Sequence, residues 1–307
     1  MKNRSHKWIA VRAIAIWRRI AGRRVPSRSS LSWCWAEECV RHQMERSLSG
    51  ILDLAEQCDE LAFAALKSIP PGDTDSPLQR AHSALMSRAV IDLRVSCQLA
   101  LSGYTMQSWS VAASCFEASH SIGFIGADAT RADRWINHSD RASGPWSVKD
   151  AVQNALIHLE LEPDSKKRQE LVDHEYKLYE WLCIAKHVNP VSERSRYFHE
   201  RNGPSEPRIQ PFVTDSRVRE AKLGLLVAIR SATTGIWSLL KAQPSDRDDL
   251  LQRVLPLMSK AYALLPDSIS CEGGARVPIS AAPCESDRGT TQRLADHSLE
   301  LNRCRII

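Results

Sequence analysis

Between residues 215 and 242 the small or apolar residues Val218, Ala221, Leu225, Ala228, Ala232, Gly235 and Leu239 recur at intervals of three and four. That period is the helix's own and puts them on one stripe, which must be covered by other helices. A second stripe, Met86, Val90, Leu93, Cys97 and Leu101, repeats the pattern. The chain has only 13 glycines in 307 residues, where average usage of roughly 7% would give about 21. With so few turn residues an all-β fold is excluded. The fold class read from the sequence is all-α, a multi-helix bundle of long antiparallel helices with a basic N-terminal arm and a flexible C-terminal tail.

Punctuation divides the bundle. A helix is expected over 33–67, stopped by Ile69-Pro70-Pro71-Gly72-Asp73. Ser76 as cap and Pro77 at the first helical position start the next, which Gly103 closes. A helix over about 105–123 is rich in small residues (Ser108, Ala112, Ala113, Ser114, Ala118, Ser119), which predicts a central, closely packed element. A short helix over 127–138 carries Trp135. Ser147 and Asp150, set as a capping box with aspartate in place of glutamate, open a helix to about 161. Pro163 opens another to about 188, ended by Asn189-Pro190. Residues 190–213 form a polar loop with four prolines, followed by helices over 215–242 and 246–265. The expected division is a basic extension over 1–30, a bundle over 31–266 and a flexible tail over 267–307.

The formal net charge of +5 is unevenly spread. Residues 1–28 hold nine of the 41 basic side chains and no acidic one, leaving 32 bases against 36 acids beyond them. A net-negative body gives no electrostatic case for general nucleic-acid binding. Residues 8–21 have the makings of a helix with Arg12, Arg19 and Arg23 on one side and Ile9, Ile14, Trp17 and Ile20 on the other. A helix lying on a membrane, a targeting segment, a basic arm and an unstructured extension all fit this stretch. Arg12 splits the apolar run, and Arg18-Arg19 ends it without a small-residue cleavage site, against a secretory signal. No unbroken run of about 18 apolar residues occurs, so no membrane-crossing helix is expected.

Nine scattered cysteines with no Cys-x-x-Cys pair argue for free thiols in a reducing, cytoplasmic setting. Cys97, Cys115 and Cys183 fall on expected core faces. The dispersed tryptophans read as core anchors.

The candidates for chemistry are few. Glu117-x-x-His120 is half of a ferritin-like metal motif, but no second copy exists, and Glu170–His174 has a different spacing. No metal is therefore expected. Arg194 and His199 are five apart, and Arg131 and His138 seven apart; histidine can shuttle a proton while arginine stabilises charge developing on a phosphate. Arg194 and His199 fall in the polar loop. His187 sits where a helix C-terminus favours an imidazole. Nucleophile elbows and phosphate-binding loops are absent, so no cofactor is expected.

Taken in order, Leu101-Ser102-Gly103-Tyr104, the small-residue helix with Phe116-Glu117, Arg134-Trp135, Leu182-Cys183-Ile184-Ala185-Lys186-His187 and the long closing helix form a series. Over 76–240 this series resembles uncharacterised bacterial all-helical proteins of HEPN-like type. The resemblance implies a four- to five-helix bundle, often dimeric, some members being ribonucleases with Arg-x(4–6)-His. Arg194 and His199 would be the catalytic pair, although Ala113 stands where such sequences carry an arginine. Two expectations result. The first is a non-catalytic bundle that binds a protein partner or forms a homo-dimer. The alternative is a metal-independent ribonuclease, with RNA as its partner.

Overall fold

The computed structural model describes residues 28–69, 76–140, 143–158, 165–186, 198–199, 206–207, 213–243, 247–265, 268–270 and 276–278. These residues form eight helices: α1 (Arg28–Lys67), α2 (Pro77–Leu101), α3 (Thr105–Ile125), α4 (Ala129–Ile136), α5 (Val148–His158), α6 (Ser165–Lys186), α7 (Asp215–Lys241) and α8 (Asp248–Ala263). Two short antiparallel ladders accompany them: β1 (Phe198–His199) with β2 (Glu206–Pro207), and β3 (Ser268–Ser270) with β4 (Arg276–Pro278). The protein is an all-α bundle. Each helix expected in the bundle is present, and α1 starts at Arg28, inside the segment assigned to the basic extension. The helix expected over 8–21 lies outside the described residues, as does most of the expected tail. The polar loop over 190–213 contains the β1–β2 ladder, and most of its other residues lie outside the description.

Among the described residues, helix ends follow the expected punctuation with two differences; Pro70 to Asp73, Pro163 and Asn189-Pro190 lie outside them. Pro77 opens α2, but the hydroxyl of Ser76 makes no cap bond, so the ring's fixed φ is the working signal. At α5 the Ser147 hydroxyl accepts from the Asp150 N–H (3.1 Å) and donates to Asp150 Oδ2 (2.7 Å). The carboxylate thus closes on the cap's hydroxyl where a full capping box would reach its backbone N–H. Gly103 at φ 82° lets the chain reverse, and Tyr104 N–H donates back to Leu99 O at 2.8 Å, capping α2 in the Schellman manner.

Two helices organise the bundle. α3 packs against α2, α5, α6 and α7, while α7 packs against α1, α2, α3 and α8. The small residues of α3 permit this: Ala112, Ala113, Ala118 and Ser119 are buried. A Cβ added at Gly123 would stand 2.5 Å from Ala155 Cβ, so only glycine allows α3 and α5 this approach. At Gly224 an added Cβ would meet Trp109 Cδ1 at 2.5 Å. The indole of Trp109 lies on the α7 backbone and donates to Glu220 O at 3.0 Å. Trp109 and Trp181 are core anchors, and Trp135, Trp146 and Trp237 pack against the core from its edge. α7 has the length and apolarity of a membrane span, yet its most apolar stretch is buried inside the bundle.

α1 and α2 run antiparallel. Asp59 pairs with Arg94, Arg41 donates to Ser102 and Tyr104 donates to Glu37, so rising numbers on one helix meet falling numbers on the other. α7 packs against both helices, α8 also packs against α1, and α3 and α4 also pack against α2.

Candidate functional site

The sequence-derived pairs do not assemble into a site among the described residues. Arg194 and His187 lie outside the description. His199 has extended backbone in β1, paired with Glu206, so it stands in a small hairpin, off any helix. Arg131 and His138 each serve a local turn. Arg131 Nη1 donates to Phe124 O at 2.6 Å, its guanidinium lies 4.5 Å over the Phe124 ring, and its Nε pairs with Asp128. The ring of His138 donates from Nε2 to Ser143 O at 2.7 Å.

Glu117 and His120 share a helix but part company at their tips. Glu117 Oε1 accepts from Tyr179 Oη and from Lys186 Nζ, both at 2.7 Å, tying α3 to the last two turns of α6. His120 is buried, donates from Nδ1 to Phe116 O at 2.9 Å and stacks on the Phe116 ring with centroids 3.9 Å apart. Among the described residues no three of His, Cys, Asp and Glu converge as metal ligands.

A cluster that the sequence reading missed lies deeper. Arg230 of α7 and Glu175 of α6, only 5% and 4% exposed, form an ion pair. The guanidinium of Arg230 also lies 4.4 Å over the Tyr262 ring of α8, and His174 of α6 stacks against the same ring at 6.4 Å. His120 of α3 feels the Arg230 charge from its own side. Arg230 Nη1 has no hydrogen-bond partner among the described residues. Four helices meet in this cluster, and its aromatic rim continues outward, because Phe116 stacks on both His120 and Tyr179. One signal in the sequence could have exposed it: Arg230 interrupts the apolar stretch from Leu223 to Ile236 in the most regular stripe of the chain. A charge there must be paired inside the bundle.

The electrostatics of the cluster favour cohesion over chemistry. Burial, with the Arg230 charge as a smaller contribution, pushes His120 down to about 4. Burial and then Arg230 push His174 down to about 4 as well. Both imidazoles are neutral near pH 7, far from the poise of a general acid or base. Burial also raises the thiols of Cys58, Cys97, Cys115 and Cys183, leaving them protonated and poorly nucleophilic. Tyr179 is raised by burial and then by its neighbours Cys183 and Glu117, so it remains a donor.

No protein-family model, curated protein or solved structure matches this chain.

Proposed function

We propose that this chain acts by protein–protein association, with a partner protein or a second copy of itself, and supplies no chemistry of its own. The observation that carries this reading is on the outside of the α1–α2 layer. Phe63 and Ile91 are 54% and 55% exposed, although the bundle beneath has buried most of its large apolar side chains. Each lies one turn from the Asp59–Arg94 pair, on the same side of it, because the helices are antiparallel. They stand at one level on two adjacent helices, with Lys67 Nζ 4.4 Å over the Phe63 ring, and offer apolar surface for a partner to cover. The inward use of the charged groups supports the same reading: Glu117, Glu175, Arg230 and His174 serve helix–helix contacts. Cys39, Cys58, Cys97, Cys115 and Cys183 are free thiols, in keeping with a cytoplasmic site of action.

The test has two arms. A photo-crosslinking amino acid placed at position 63 in living cells should yield a discrete protein adduct. Purified chain incubated with total RNA in EDTA should leave the RNA intact. Cleavage that disappears in His199→Ala would overturn the reading in favour of the ribonuclease.

A further inference from the structure

We propose that α8 is a displaceable strap, and that the groove it covers between α1 and α7 is a concealed surface for an amphipathic helix of a partner protein. This goes beyond the association reading above, which concerns the exposed level of Phe63 and Ile91 on α1 and α2.

α8 packs against α7 and α1, which also pack against each other, so it lies in the groove between them. It buries Leu250, Val254, Leu257, Met258 and Ala261, one stripe at helical spacing. Its other side, with Gln252, Arg253, Pro256 and Lys260, faces solvent. It is the last helix among the described residues, so it can leave the groove without drawing another helix with it.

Pro256 weakens this helix from within. It stands inside α8, where it has no N–H to donate to Gln252 O and its ring crowds that carbonyl. Proline is the least favourable residue in a helix interior, and here its ring is exposed and adds no buried contact in return. An isolated helix of 16 residues is close to the length at which helices become marginal in water. α8 is therefore helical because the groove holds it. A helix with the same apolar spacing and no proline would hold the groove better, and that defines the partner.

The two ends of α8 are fastened differently. At its start Arg247 Nη1 donates to Ser68 Oγ at 2.6 Å and Nη2 donates to Ser68 O, clamping α8 to the end of α1. At its last turn the Tyr262 ring stands 4.4 Å from the Arg230 guanidinium and 6.4 Å from the His174 ring. Arg230 is paired with Glu175, and its Nη1 has no hydrogen-bond partner among the described residues. A buried ion pair gives up hydration that its mutual attraction does not fully restore. Lifting the Tyr262 end lets water reach Arg230, a gain that lifting a helix from a purely apolar groove would lack. The strap thus opens from Tyr262 about the Arg247 clamp.

Native-state hydrogen exchange of the full chain should show α8 amides exchanging at least about tenfold faster than those of α3 and α7, through a local opening. Pro256→Ala should slow α8 exchange at least about tenfold. A fluorescein-labelled peptide of residues 247–265 carrying Pro256→Ala serves as the probe helix, its binding read by fluorescence anisotropy. It should bind a chain carrying Leu257→Glu, whose own strap is loosened, at least about tenfold more tightly than wild type. It should bind the Pro256→Ala chain at least about tenfold more weakly than wild type. That second comparison does not depend on how well Leu257→Glu folds, since removing the proline only favours the helix. α8 exchanging no faster than α3 and α7, or a peptide that binds all three chains alike or none of them, would overturn the inference. The crosslink at position 63 reads the exposed face separately, so an adduct there without capture of the peptide overturns the strap alone.

Discussion

Lowering the pH from 7 to 4 forces a proton onto an imidazole that the fold keeps neutral. In the unfolded chain His120 titrates at 6.5, but in the bundle it is pushed down to about 4, mainly by burial and then by Arg230. The folded state resists a proton that the unfolded state accepts, so the stabilisation is complete above pH 6.5 and is lost as the pH falls toward 4. At 1.36 kcal/mol per pKa unit, the full span is worth about 3.4 kcal/mol. About 2 kcal/mol of it is already gone at pH 5 and about 3 at pH 4. The groups facing the imidazole are Phe116 on its own helix and Arg230 across on α7. Beyond Arg230 lie Glu175 and His174 of α6 and Tyr262 of α8. Urea unfolding followed by circular dichroism at pH 7, 5 and 4 would measure the loss for wild type and for His120→Gln. The variant, having no imidazole to titrate there, should lose about 3 kcal/mol less over that range. The ring-proton shifts of His120 in wild type give a second readout that does not depend on the variant folding. A His120 signal titrating near 6.5, or parallel pH profiles in the two proteins, would refute the reasoning.

Further outcomes follow from the same packing. Glu175→Gln should cost about 3–5 kcal/mol of unfolding free energy, because it leaves Arg230 buried and uncompensated. The double change Glu175→Leu with Arg230→Met should cost clearly less than Glu175→Leu alone in the same urea titration. Gly224→Val should lower stability by at least about 1–3 kcal/mol through collision with Trp109, visible as a lower thermal midpoint. Arg94→Ala, which removes an exposed partner of Asp59, should cost less than about 1 kcal/mol, and a larger loss would show that this pair does more than link two surfaces.

The extent and order of the helices were legible in the residues alone. Spacing of three and four marks a helix that buries one stripe, and Pro77 and Gly103 mark where helices begin or end. The centrality of α3 was legible too, because small side chains over several turns have no use except close approach. The stripe of α7 announced a core helix, although not which helices would cover it. What a single stripe cannot carry is the meeting of residues far apart in the chain. Glu117 and His120 read as one pair because they share a helix face, yet in the bundle one reaches α6 and the other packs into the core. Arg230, Glu175, His174 and Tyr262 read as unrelated polar residues until three helices bring them within reach of one another. The exposed level of Phe63 and Ile91 has the same origin: the two are far apart in the sequence, and only the antiparallel docking of α1 on α2 sets them side by side. Local periodicity is a property of the backbone and is written in every segment. Long-range juxtaposition depends on which stripe packs against which, and that is settled only when all the stripes are buried together.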